Sequence, residues 1–116
     1  MKSTKPKGRR LQNFVRDVLR KIFIENWTKF PRLEEDDIKS QTMGMTGEDI
    51  VLSPAAQKII PYSFECKNQE KLSIWKSLEQ AEKNSNGRTP VLIFKRNRSD
   101  TYVSMKFDDF LNMIKE

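Results

Sequence analysis

The chain contains no histidine. Ser–His and Cys–His nucleophilic pairs are therefore excluded, as is every zinc site built on imidazole. Its one cysteine, Cys66, can form neither an internal disulfide nor a Cys-rich zinc module, which makes a reducing compartment the natural setting. The four glycines, at positions 8, 44, 47 and 87, are too scattered for a Gly-rich phosphate loop. No apolar run approaches membrane-span length, and the polar start carries no secretory core, so the expectation is a cytoplasmic protein without a membrane partner. Any chemistry must come from carboxylates, lysine and a metal ion.

What is present is a well-charged chain of 116 residues, 36% apolar and 33% charged, sized for one domain with a modest core. The net charge of +6 is unevenly placed. Residues 1–21 hold eight Lys and Arg against the single acid Asp17, whereas the remainder holds 14 basic and 15 acidic residues. A basic segment on a nearly neutral body points to a polyanion, nucleic acid first. Residues 1–8 read as a flexible basic arm and residues 9–116 as the domain.

Leu11, Phe14, Val15, Val18, Leu19, Ile22 and Phe23 recur at helical spacing and predict an amphipathic helix from Arg9 to Asn26. Its Phe14–Phe23 stripe is expected to be core or a subunit contact, and Arg16 and Arg20 run one turn apart beside it. Strands are predicted at Ile38–Gln41, Glu48–Leu52, Pro61–Lys67, Val91–Phe94 and Thr101–Phe107. Ser53-Pro54 caps a short helix, Pro54–Ile59. A long helix, Leu72–Asn84, presents Ile74, Trp75, Leu78 and Ala81 on one face and ends near Gly87. Asp108 is placed to cap a closing helix through Ile114. The expected fold is α/β, a central mixed five-stranded sheet flanked by helices in the order α-β-β-β-α-β-β-α.

The chemistry concentrates at Glu65-Cys66-Lys67. In a strand Glu65 and Lys67 project together while Cys66 points the other way, as a small buried hydrophobe rather than a nucleophile. A neighbouring strand carrying Asp49 adds a second carboxylate. Two carboxylates and an ammonium can bind a hard divalent cation beside a phosphate. Glu48 competes with Asp49, since alternation lets only one of them face the site. A Glu-x-Lys triplet alone arises by chance in so charged a chain; its conjunction with Asp49 after a glycine turn and a glutamine on the next helix carries the weight.

That conjunction resembles the PD-(D/E)XK nuclease superfamily, over roughly Gly8 to Phe107, with its restriction-endonuclease-like core. Within it the small size and basic helical start look most like archaeal and bacteriophage Holliday-junction resolvases. The resemblance implies Asp49 and Glu65 as metal ligands with the Cys66 backbone carbonyl, Lys67 beside the attacking hydroxide, and Gln80 as the helix glutamine. Gln80 also lies on a polar line, Ser73, Ser77, Gln80 and Asn84, bordering the buried face. Ser40 matches a polar active-site position. Gln12 stands where the resolvases carry a glutamate, which implies one tightly held Mg²⁺, or Mn²⁺ in its place, rather than two ions. Lys7, Arg9, Arg10, Arg16 and Arg20 are the expected DNA contacts, with Lys95, Arg96 and Arg98 extending the basic surface.

The implied function is a metal-dependent DNA endonuclease, a homodimeric Holliday-junction resolvase acting on branched DNA in phage or bacterial recombination, in the host cytoplasm if phage-encoded. Two rivals predict different outcomes. A nicking or nonspecific nuclease cuts duplex, flap and junction alike. A DNA-binding protein on a degenerate nuclease fold, the reading Gln12 motivates, binds without cutting.

Overall fold

The computed structural model describes residues 5–115. Helix α1, Lys5–Arg20, buries Leu11, Val15 and Leu19, and leaves Phe14, Val18 and Ile22 of the same broad stripe largely in solvent. Its end widens into a π-helical turn, Lys21–Glu25, closed by the Asn26 N–H on the Lys21 carbonyl. The helix starts at Lys5 rather than Arg9, so it takes in half of the segment expected to be a flexible arm; Met1–Thr4 lie outside the described residues.

A hairpin follows, β1 (Ile38–Ser40) antiparallel to β2 (Ile50–Leu52), with Ile38, Ile50 and Leu52 in the core. Its connection turns at Gly44 and Gly47, with φ of +82° and +109°, a region that side-chain-bearing residues rarely enter. The Arg20 guanidinium fastens α1 to this unit through the Ile38 carbonyl at 2.9 Å and the Glu35 carbonyl at 3.1 Å. Helix α2, Pro54–Ile59, begins as predicted: the Ser53 hydroxyl accepts the Ala56 N–H and proline opens the first turn.

Strand β3 (Tyr62–Asn68) runs parallel to β4 (Thr89–Lys95), with α3 (Ile74–Lys83) as the crossover. Strand β5 (Tyr102–Ser104) adds antiparallel to β4, and α4 (Phe107–Lys115) closes the chain. Phe64, Cys66, Val91 and Ile93 join the core cluster shared with α1, the hairpin and α2. The other sheet face carries Ser63, Glu65 and Lys67 beside Leu92, against which α3 packs.

Three further expectations need correction. The five strands do not form one sheet but a two-stranded and a three-stranded one. Strand β2 approaches β3, and the Asp49 N–H reaches the Phe64 carbonyl at 3.0 Å. The next β3 donor, the Cys66 N–H, is taken at 2.7 Å by the Asp49 side chain instead of by a backbone carbonyl. A ladder needs a backbone partner at that step, so pairing stops there. The second correction concerns α3. Its buried side chains are Ser77 and Ala81, while Trp75 is 75% exposed. At 100° per residue Trp75 lies well round the helix from the Ser77–Ala81 line, and the two small residues let α3 sit close on the sheet. Asp108, expected as a cap, lies inside the first turn of α4.

Candidate active site

The parting of the two sheets opens a cleft of about 220 Å³, lined by Gln12, Asp49, Glu65, Lys67 and Gln80, with Gly8 at its rim. They come from four stretches of chain: helix α1, the residue before β2, strand β3, which supplies both Glu65 and Lys67, and helix α3. Alternation separates Glu48 from Asp49. Glu48 turns away and is buried against Arg88, 2.6 Å to Nη2, with the Asn86 amide at 3.4 Å. Asp49 turns toward β3 and holds the Cys66 N–H.

Glu65 is 2% exposed on the α3 face of β3. Burial, and next the charge of Asp49, push its carboxyl up to about 7, against the pull of Lys67, whose Nζ stands 3.7 Å from Oε2. The Asn84 amide donates to its other oxygen at 3.5 Å. Burial also raises the Asp49 carboxyl, opposed by the Cys66 N–H, the Lys67 ammonium and the Gln12 amide. Burial and the same two carboxylates push the Cys66 thiol well up, so Cys66 is a core residue with no thiolate to offer. Two carboxylates thus share a partly closed space, both raised chiefly by burial, and Glu65 further by the charge of Asp49.

Residues 3–116 match the model of a family described as "Phage putative PDDEXK endonuclease". The chain belongs to this family. No curated protein and no solved structure matches it. Membership of an endonuclease family implies DNA as the substrate, and PDDEXK nucleases generally use divalent metal ions.

The donor set fits such an ion. Asp49 and Glu65 offer hard carboxylate oxygens, and the electrostatic strain between them is what a dication relieves. Among the described residues no group of three His, Cys, Asp or Glu side chains is placed to hold a metal. A two-carboxylate site suits a cation such as Mg²⁺, which keeps several waters and takes the rest of its shell from substrate phosphate.

The residues assigned to DNA from sequence are used unevenly by this PDDEXK endonuclease. Arg10 is exposed; Lys7 pairs with Glu70 at 3.5 Å, and Arg9 donates to the Gln41 carbonyl at 2.6 Å. Arg16 is held by Asp17 and Asn13, and Arg20 by backbone carbonyls. Ser40 donates to Asn13 at 2.8 Å and does not line the cleft. Three participants carried no assigned role in the sequence reading. Asn84 stood on the polar line of α3 without a partner to suggest its use. Asn68, one residue past Lys67, lines the cleft and keeps a buried side-chain oxygen with no partner among the described residues. Arg88, 40 residues from Glu48, gave no local signal at all.

Proposed function

We propose that the chain is a Mg²⁺-dependent DNA endonuclease, with Mn²⁺ as a substitute, that cuts branched DNA of the four-way-junction class. It acts as a homodimer during phage recombination in the host cytoplasm. The observation that carries this reading is the convergence of Asp49, Glu65, Lys67, Gln12 and Gln80 in one cleft. Asp49 and Glu65 would hold the ion. The Cys66 carbonyl is a third donor: a residue's N–H and C=O share one strand edge, and the Cys66 N–H already points at Asp49. The ion supplies Lewis acidity toward the phosphodiester and lowers the pKa of water beside it.

The chain's own residues do the rest. Charge building on the nonbridging oxygens meets the Lys67 ammonium, fixed beside Glu65 and therefore already oriented. Gln12 and Gln80 offer amides to orient water and phosphate without adding charge. With the carboxylates committed to the cation, neither has to act as a general base. The N-terminal half of α1 borders the cleft through Gly8 and Gln12, which sets Lys7, Arg9 and Arg10 beside it for phosphate contacts.

Symmetric resolution of a four-way junction needs two cuts, and a two-fold pair supplies one site for each. Support for a pair comes from apolar side chains left uncovered on β5 and α4: Val103, Phe107, Phe110, Met113 and Ile114. The test compares labelled four-way junction, flap and matched linear duplex in Mg²⁺ or Mn²⁺. Paired symmetric cuts confined to the junction are expected. Equal cutting of all three contradicts junction selectivity, and tight binding without cutting would identify a binding-only derivative in which Gln12 replaces a needed glutamate.

A further inference from the structure

Beside the cleft, meeting it at Gln69, lies a second recess of about 310 Å³. Sheet register sets its position. Lys67 is opposite Phe94 across β3–β4, and Phe94 is opposite Tyr102 across β4–β5, so the three side chains form one row on the α3 face. Strands lie about 4.8 Å apart, which places Tyr102 about 10 Å from the lysine position.

The row ends in an aromatic platform. Phe94 and Tyr102 stack with centroids 6.0 Å apart and planes 29° from parallel, and Tyr102 remains 55% exposed. Leu72 and Ile74 complete the apolar lining, and Arg96 stands at the rim. A second cation, Arg98, is carried on the same turn at φ +64°, a left-handed backbone seldom adopted by a long side chain. Glu70 is the carboxylate of this lining, and its charge is already answered by the Asn97 N–H at 2.6 Å and by Lys7. Edge strands are ordinarily blunted by charge; β5 instead displays an exposed aromatic ring.

Resting on the nuclease reading above, we propose that this recess binds an unpaired nucleobase next to the phosphate held in the cleft. The base stacks on Tyr102 while Arg96 holds the adjoining backbone. In duplex DNA both faces of a base are covered by its neighbours, so a protein ring can stack only on a base that has left the helix. Aromatic platforms rimmed by cations are how single-stranded nucleic acid is gripped without sequence preference. The substrate is accordingly DNA whose nucleotide beside the cut is unpaired at a branch point, and selection is by structure rather than sequence.

The test uses a 12-nucleotide single strand carrying one 2-aminopurine, with chelator present so that nothing is cut. Wild type, Tyr102→Ala and Tyr102→Trp are compared, with the same strand in a full duplex as control. Wild type and Tyr102→Trp are expected to quench the 2-aminopurine on binding. Tyr102→Ala is expected to bind about tenfold more weakly, with the quench lost, and the duplex should show no quench. Quenching and affinity unchanged in Tyr102→Ala, or equal quenching in duplex, would overturn the proposal. Cutting of a four-way junction in Mg²⁺ is measured in parallel. No cutting, with Tyr102-dependent quenching intact, counts against the catalytic reading and for the recess. Normal cutting with Tyr102-independent quenching counts against the recess alone.

Discussion

The Asp49 carboxylate takes the amide hydrogen that a backbone carbonyl would take in a continuous sheet, so the side chain that ends the ladder also marks the cleft. Glu65, facing it, has a definite pH signature. With its carboxyl raised from 4.5 to about 7, the folded protein retains a proton that the unfolded chain has already released in that interval. Stability of the metal-free protein therefore falls as pH rises from about 4.5 to about 7, by on the order of 3 kcal/mol. Urea midpoints measured in chelator should decline across this window in wild type, and Glu65→Gln should flatten the decline; a rise with pH would refute the assignment. The Glu-x-Lys spacing was enough to put Glu65 and Lys67 on one face. It could not decide between Glu48 and Asp49, because the residue that claims Glu48 is Arg88, far along the chain.

Among the elements, the Glu48–Arg88 pair anchors the segment that delivers Asp49, joining it to the turn between α3 and β4. Both side chains are only 10% exposed. Removing one partner leaves a buried charge uncompensated, which costs about 3–5 kcal/mol. Arg88→Met should lower stability by that amount in urea unfolding, and Glu48→Gln, which keeps a hydrogen-bonding acceptor for Arg88, should cost less. Equal stability of Arg88→Met and wild type would mean that the pair is not structural. Element types were legible because they follow local rules: the Ser53-Pro54 start of α2, the apolar run of β4 and the spacing in α1 each marked an element, although α1 begins at Lys5 rather than Arg9. The larger failures were non-local. Trp75 fits an apolar stripe on paper, but the sheet selects the small Ser77–Ala81 side of α3 for close approach. The break between the sheets depends on one side-chain hydrogen bond that no strand pattern encodes.

At the scale of the molecule, the basic excess near the start of the chain predicts salt-sensitive DNA binding. Arg10, exposed in the turn of α1 beside the cleft, should contribute one phosphate contact, so Arg10→Ala should reduce the slope of log affinity against log salt by about 1. An unchanged slope would remove it from the interface. The uncovered apolar side chains of β5 and α4 predict a species of twice the chain mass in sedimentation, and a polar substitution such as Phe107→Glu should shift it toward monomer. Sedimentation as a monomer at all concentrations would leave the two-cut geometry without a second site. The charge asymmetry behind the first prediction is plain in the sequence, whereas the apolar face behind the second emerges only once the sheet has chosen what to cover.

The most direct measurement pairs calorimetric titration of Mg²⁺ and Mn²⁺ with cleavage of branched DNA, for wild type, Asp49→Asn, Glu65→Gln and Lys67→Ala. Asp49→Asn and Glu65→Gln should lose both the cation and the cutting. Lys67→Ala should still bind the cation yet cut at least about a hundredfold more slowly, as expected when a preorganised charge is removed from a developing anion. Cutting at the wild-type rate by Asp49→Asn or Glu65→Gln would contradict the account, because the cleft between the two sheets would then not be the place where DNA is cleaved.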